Sequence, residues 1–373
     1  MDLNFGINGS FGVQAERPIS ISSSTPIGIV ATADKGATGL MKFNNADDGL
    51  QYITDNAITD GTLERAFRGI SLQGVNCPLV VHVSTLDSDD ATNKTNILAG
   101  LDMLKQSDPV TGIDLKNGLI IAPEYSSDVD VAAKVDAIAS TLWCTGIVDN
   151  FSEDEAGVSS FVSNFGSKYL LVGTGGYQAN GESIPFSSLM AGVIAFNDGN
   201  TDFGWAKNHS NRIAKGVSGT DRVVEYLDGQ DCEARRLRQK SVSMIVKDVG
   251  WRTYGFETTD IDPIWQSLDR VRTFHRLLAA ILKANKWARD READQLIWVR
   301  KSVVEFMNEL KGNNVVIGFD VFFDPLKNTQ ATVTEGKFYL TVLVQDMPSI
   351  RELDIELVYS DEWGDTLINY ING

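Results

Sequence analysis

Ile27-Gly28-Ile29-Val30-Ala31 is a short apolar run, and four more of the same kind follow it at Leu79–Val83, Leu119–Ala122, Thr145–Val148 and Tyr169–Gly173. Runs of this length read as buried strands. The segments between them carry helical patterns, at Leu63–Ile70, Lys94–Leu104, Val129–Leu142, Glu153–Phe165 and Ser187–Phe196. In the first of these Leu63, Phe67 and Ile70 recur at i, i+4 and i+7, which gives one apolar face. Strands alternating with helices predict a mostly parallel sheet covered by helices, an α/β domain over residues 27–205.

Upstream, residues 1–26 alternate apolar and polar side chains, with Leu3, Phe5 and Ile7 leading and a Ser/Thr run, Ser22-Ser23-Ser24-Thr25, closing the stretch. Period-two alternation predicts an extended arm that must find a sheet, in its own subunit or in another. Downstream, Asp262-Pro263 reads as a helix start, since Asp caps backbone N–H groups and Pro is tolerated at the first helical position. Behind it, apolar residues from Ile264 to Leu282 keep a helical period, with Arg272, Arg276, Lys283 and Lys286 on the polar side. A second helix is expected over about 295–310, carrying Leu296, Val299, Val303, Met307 and Leu310. After Gly312 three strand patterns follow: Val315 to Val321, Phe338–Val344, and Ile355, Leu357 and Tyr359. The apolar character persists to Trp363, Leu367 and Ile368, so both ends read as strands in search of a partner.

The chain has 373 residues and a net charge of −17, with 43% hydrophobic and 22% charged residues. That length suits two domains with their own cores, and the composition excludes a disordered or collagen-like chain. So acidic a protein is poorly suited to nucleic acid or an anionic membrane, and neither is expected as a partner. The N-terminus lacks a signal-like apolar run, and no stretch reaches the ~20 apolar residues that span a bilayer. The expectation is a soluble protein made in the cytoplasm. Cys77, Cys144 and Cys232 are odd in number and widely spaced, which fits buried reduced thiols. Charge is segregated: residues 27–205 hold 9 basic and 23 acidic residues, and residues 206–311 hold 20 basic and 15 acidic. The basic flank Arg270, Arg272, Arg276, Lys283 and Lys286 reads either as a solvated face or as a docking surface for an acidic partner.

Motifs that carry enzyme chemistry are missing: there is no GxxxxGK[ST], HExxH, GxSxG or CxxC. Gly173-Thr174-Gly175-Gly176 follows a strand, but Gln178 stands where a dinucleotide fingerprint needs glycine, so a tight surface loop is expected. Asp87-Ser88-Asp89-Asp90 lacks the glycine and glutamate of a calcium loop and reads as a solvated acidic loop. His82, His209 and His275 are scattered, so no metal site, cofactor or catalytic group is expected.

The segment from Lys247 to Gly255, with Gly250, Trp251, Arg252 and Gly255, continues through Asp262-Pro263-Ile264-Trp265, Arg270-Val271-Arg272-Thr273 and Lys286-Trp287-Ala288. It resembles the C-terminal region of contractile phage tail sheath proteins and of the related R-type bacteriocin sheaths. Arg17-Pro18-Ile19, the Ser/Thr run and the stretch from Ile27 to Ala33 are similar to the sheath N-terminal region, and Gly216-Val217-Ser218-Gly219 matches another sheath-like position. The likeness runs nearly end to end, and its specific part lies around Trp251, Pro263 and Trp265. Glu257 departs from it, standing near a place where the family often has a basic residue.

The resemblance implies α/β and α+β parts. An outward α/β domain (27–205) is inserted between an N-terminal arm (1–26) and a tube-facing C-terminal α+β domain (206–350), and a C-terminal arm (351–373) follows. It implies a helical homo-oligomer that surrounds an inner tail tube and contracts to drive that tube through a bacterial envelope. The tail of a virion, built in the host cytoplasm, would be its location, with baseplate and tail terminator proteins as further partners. Leu3, Phe5, Ile7, Ile355, Leu357 and Tyr359 would exchange strands between subunits, and Arg270, Arg272, Arg276 and Lys283 would face the tube. The rival readings are a nucleotide-binding α/β enzyme working at Gly173–Gly176 and a non-contractile tail structural protein.

Overall fold

The computed structural model describes residues 19–372. In chain order β1 (Ile27–Ala33), β2 (Gly39–Phe43), α1 (Ala46–Asp55), α2 (Leu63–Ser71), β3 (Leu79–Thr85), α3 (Asp90–Met103), α4 (Ser107–Thr111), β4 (Leu119–Ile121), α5 (Val129–Leu142), β5 (Thr145–Val148), α6 (Glu155–Val162) and β6 (Leu170–Gly173) come first. Next are β7 (Gly176–Ala179), β8 (Glu182–Pro185), α7 (Phe186–Asn200), β9 (Gly219–Thr220), α8 (Glu233–Gln239), β10 (Val242–Lys247) and β11 (Trp251–Tyr254). The C-terminal part adds α9 (Leu268–Ala284), α10 (Leu296–Gly312), β12 (Val316–Phe323), α11 (Gln330–Thr334), β13 (Leu340–Asp346) and α12 (Gly364–Asn372).

An eight-stranded sheet in the order β11-β10-β6-β5-β4-β1-β3-β2 forms the body. Its six central strands run parallel, and an antiparallel strand closes each edge. Alternate side chains go to opposite faces, as the strand geometry requires. Ile27, Ile29 and Ala31 meet Phe67 of α2 and Leu189 of α7 on one face, whereas Val30 meets Leu101 of α3 and Val135 of α5 on the other. Each fully buried side chain of this size stabilises by about 1.5–3 kcal/mol, so the two-sided cover holds the body together.

Several of the acidic residues that weight 27–205 are helix caps. Asp89, Asp128 and Asp154 each accept backbone N–H groups at the start of α3, α5 and α6. The Asp87–Asp90 stretch is therefore the entry to α3, with Asn93 Nδ2 donating to the Asp87 carbonyl at 2.8 Å.

Four expectations are corrected here. The change of charge at residue 205 is not a break in the fold, because β10 and β11 continue the same sheet beyond it. Gly173–Gly176 is not a surface loop: these residues are buried, and a Cβ on Gly173 would lie 1.8 Å from the Phe186 ring. The chain then turns back at Asn180-Gly181, whose φ angles of 53° and 85° suit a two-residue hairpin between β7 and β8. Asp262-Pro263 starts only a turn, with Asp262 Oδ1 accepting from Ile264 N at 2.9 Å, and α9 begins five residues after Pro263. Finally, residues 347–361 form neither helix nor strand, so the Ile355–Tyr359 pattern is unpaired among the described residues, and the apolar end is helix α12 instead. Trp363, Leu367 and Ile371 are spaced by four, which suits a helix and not a strand.

A third core lies beside the body. Leu277 and Ala280 of α9, Val303, Phe306 and Met307 of α10 and Val321 of β12 pack together there with Ile19 and Trp205. The first turn of α9 belongs to the body core through Leu268 and Val271, so this helix ties the two parts together.

Candidate assembly interface

Helix α9 buries Leu268, Val271 and Leu277 and also part of the stripe expected to be polar and exposed. Arg272 and Arg276 were assigned to an exposed face, yet each is only 4% exposed, whereas Leu278 and Leu282 are 47% and 50% exposed. The reason is Asp198, fully buried at the end of α7, which the two arginines embrace. Arg272 donates from both terminal nitrogens to the Asp198 carboxylate, and His209 Nε2 lies 3.0 Å from Asp198 Oδ1. Arg276 reaches the segment that leads into β1, donating to the Ser22 carbonyl at 2.7 Å and to Thr25 Oγ1 at 2.6 Å, while Thr25 in turn donates to Asp198.

Burial opposes charge on Asp198, Arg276 and His209. For Asp198 it would raise the pKa, but Arg272 and the His209 hydrogen bond hold the carboxylate far below its usual range. For Arg276 burial lowers the pKa to about 10. His209 is likewise pushed down by burial, which keeps it neutral. The cluster thus joins α7, α9 and the root of the N-terminal segment, and it presents no charge to a partner.

Of the other two basic residues in that set, Arg270 is half-buried and bonds Asp346 of β13 at 2.9 Å. Lys283 is exposed; it sits seven residues beyond Arg276 on the same stripe of α9, where the helix has left the body.

The residues that carry the family likeness build the joint between sheet and α9. Gly250 turns β10 into β11 at a φ of 102°, and Trp251 packs against the body core. Arg252 Nη1 donates to Asn211 Oδ1 at 3.2 Å, and Gly255, at a φ of 98°, passes close over Ser243. Pro263 is exposed, and the Trp265 ring meets Phe274 of α9 edge to face at 5.4 Å. Glu257 pairs with Arg238 of α8 at 2.9 Å, which accounts for an acid at that place.

Two unfilled features adjoin α9. β12 and β13 form a two-stranded antiparallel sheet, and among the described residues neither pairs with a third strand. Beside β13 runs a groove of about 940 Å³ between α9 and α10, floored by Phe274, Leu278, Leu282, Val299 and Val342. Trp143, Tyr169 and Trp265 also line it, with Lys168 over the Tyr169 and Trp265 rings and with Lys286 and Arg289 just past the end of α9. His275 stacks against Tyr169 at 5.1 Å, where burial and Lys168 lower its pKa to about 4.

Of the expected exchange residues, Ile355, Leu357 and Tyr359 have no cover among the described residues. Ile355 is 76% exposed, Leu357 94% and Tyr359 89%. Every residue from Ile350 to Asn372 is exposed. Leu3, Phe5 and Ile7 lie outside the described residues. Sequence reading missed the Asp198 cluster and the groove, since both join residues far apart in the chain.

Residues 260–359 match the model of the phage tail sheath C-terminal domain. The chain is 33% identical over 255 residues to a protein named as a prophage major tail sheath protein of Pseudomonas aeruginosa, a match that spans 66% of this chain and 65% of that relative. It is 22% identical over 386 residues to the tail sheath protein of Escherichia phage P2, covering 96% of both. Among solved structures, the contracted helical sheath of the anti-feeding prophage superposes with a TM-score of 0.69 at 17% identity, over 96% of this chain and all of that one. The contracted sheath of an extracellular contractile injection system gives 0.71 at 16% identity, over 97% and 99%. Residues 260–359 thus carry a likeness to the phage tail sheath C-terminal domain, and over nearly its whole length the chain is similar to tail sheath proteins.

Proposed function

We propose that this chain is the repeating subunit of a contractile tail sheath, which polymerises helically around an inner tube and contracts to drive the tube through a bacterial envelope. The observation that carries the reading is the uncovered C-terminal segment. Ile355, Leu357 and Tyr359 form an alternating pattern with no partner among the described residues, and there the β12–β13 sheet offers unpaired edges. Strand addition to a neighbour supplies backbone hydrogen bonds and covers these side chains, at about 1.5–3 kcal/mol for each that is fully buried. Residues 1–26, with Leu3, Phe5 and Ile7, supply a second arm of the same kind. The arms keep subunits connected while contacts between bodies change, and contraction releases the difference between a metastable and a better-packed assembly.

Lys283 remains as the tube-facing candidate of the basic set. An exposed charge contributes little to binding on its own, which suits a sheath that must let its tube go. Baseplate and terminator proteins complete the expected partners, with assembly in the host cytoplasm and function in the virion tail. The enzyme reading loses its support at Gly173–Gly176, because the loop runs directly into β7 of a hairpin and offers no helix start to a phosphate.

Negative-stain electron microscopy of the purified, concentrated chain tests the proposal. Hollow tubes with a helical surface, formed alone or on addition of the tube protein, are the expected result. Discrete subunits under both conditions would overturn it.

A further inference from the structure

The groove beside β13 and helix α12 are complementary in shape, polarity and charge. On α9 the exposed Leu278 and Leu282, with the half-buried Phe274 and Ile281, form an apolar stripe along the groove that no described residue covers fully. Helix α12 has an apolar stripe too, formed by Trp363 just ahead of it and by Leu367, Ile368 and Ile371, all 55–71% exposed. Nine helical residues span about 14 Å, and the α9 wall from Phe274 to Asn285 runs about 17 Å, so the helix fits along the groove. The charges oppose as well. Residues 350–373 hold six acidic residues and one basic, with Asp361, Glu362 and Asp365 at the start of the helix. Lys168, Lys286 and Arg289 line the groove.

We propose that helix α12 of a second copy of this chain seats its apolar stripe in the groove between α9, α10 and β13, with its acidic start against Lys168, Lys286 and Arg289. The docking differs from strand addition, because the helix and not the extended segment is the occupant. It rests on the sheath reading for the supply of neighbours. It also gives a use to Leu278 and Leu282, which α9 leaves exposed while Arg272 and Arg276 are buried inside the subunit.

Disulfide trapping tests the contact in the full chain. One preparation carries Leu282→Cys, another carries Ile368→Cys, and the two are mixed at assembling concentration and oxidised; the native cysteines are all buried. The expected result is a cross-linked dimer between the two preparations. Its yield falls at least fivefold when Lys286→Glu and Arg289→Glu are added to the first chain at low salt, and Glu362→Lys with Asp365→Lys in the second restores it. Tubes that form without the cross-link would overturn the docking and leave the sheath reading intact. Absence of both tubes and cross-link would overturn both. A chain carrying both cysteines that closes on itself at high dilution would also overturn the proposal, because the groove would then be filled by its own helix.

Discussion

The α/β body and the last 23 described residues treat the same side chains in opposite ways. In the body Ile27, Ile29, Leu119 and Ile121 are completely buried on a sheet covered from both sides. Between Ile350 and Asn372 residues of the same kind are left wholly in water. A body that is self-sufficient in its packing can carry an unsatisfied segment without unfolding, and that segment is then available to a neighbour. Folding and assembly become separable, each lodged in its own part of the chain.

Substitutions should divide along that line. The largest effect on stability is expected at Asp198→Ala, which leaves Arg272 and Arg276 buried without their counter-charge; a loss of about 3–5 kcal/mol in urea denaturation is predicted. Retention of wild-type stability would mean that the cluster does not hold α9 to the body. Next comes acidity. His275 is held at a pKa of about 4, below the 6.5 of an unconstrained histidine, so the unfolded chain binds its proton first as pH falls. Its contribution is complete above pH 6.5 and is lost between pH 6.5 and 4, by up to ~3 kcal/mol. Unfolding midpoints at pH 7 and pH 4.5 should therefore draw closer together in His275→Phe, and an unaltered pH slope would remove His275 from the account.

A smaller loss, about 1 kcal/mol, is expected from Gly181→Ala at the β7–β8 turn, since its φ of 85° strains any residue with a Cβ. Thermal melts suffice to detect it, and a neutral result would argue that the turn adjusts. Smallest of all for the single subunit is Ile355→Ser combined with Leu357→Ser, predicted to change stability by no more than about 0.5 kcal/mol because both are exposed. The same double variant should fail to form tubes. A marked loss of stability would show that the segment packs on its own subunit.

The body was largely legible in the sequence. Short apolar strands and the helices between them announce themselves by local pattern, and β5 and α5 fall on the boundaries expected for them. What escaped depends on partners distant in the chain. Helical spacing puts Arg272 and Arg276 on one stripe, but nothing local says that the stripe faces Asp198, which lies 74 residues before Arg272. The same holds for β10, whose parallel partner β6 lies across a change of charge that suggested a domain boundary. The Asn180-Gly181 hairpin did have a local signal, an Asn-Gly pair just after the stretch read as a tight surface loop. The apolar C-terminal end reads as a strand in search of a partner, whereas Leu367, Ile368 and Ile371 lie on a helix.

The central claim is that the chain folds through its body and polymerises through its uncovered end. Electron microscopy and sedimentation of the full chain beside a variant ending at Ser349 test it most directly. Helical tubes from the full chain, with folded subunits of unchanged melting temperature and no tubes from the shortened one, are the predicted result. Tubes of the same form from both chains would contradict it.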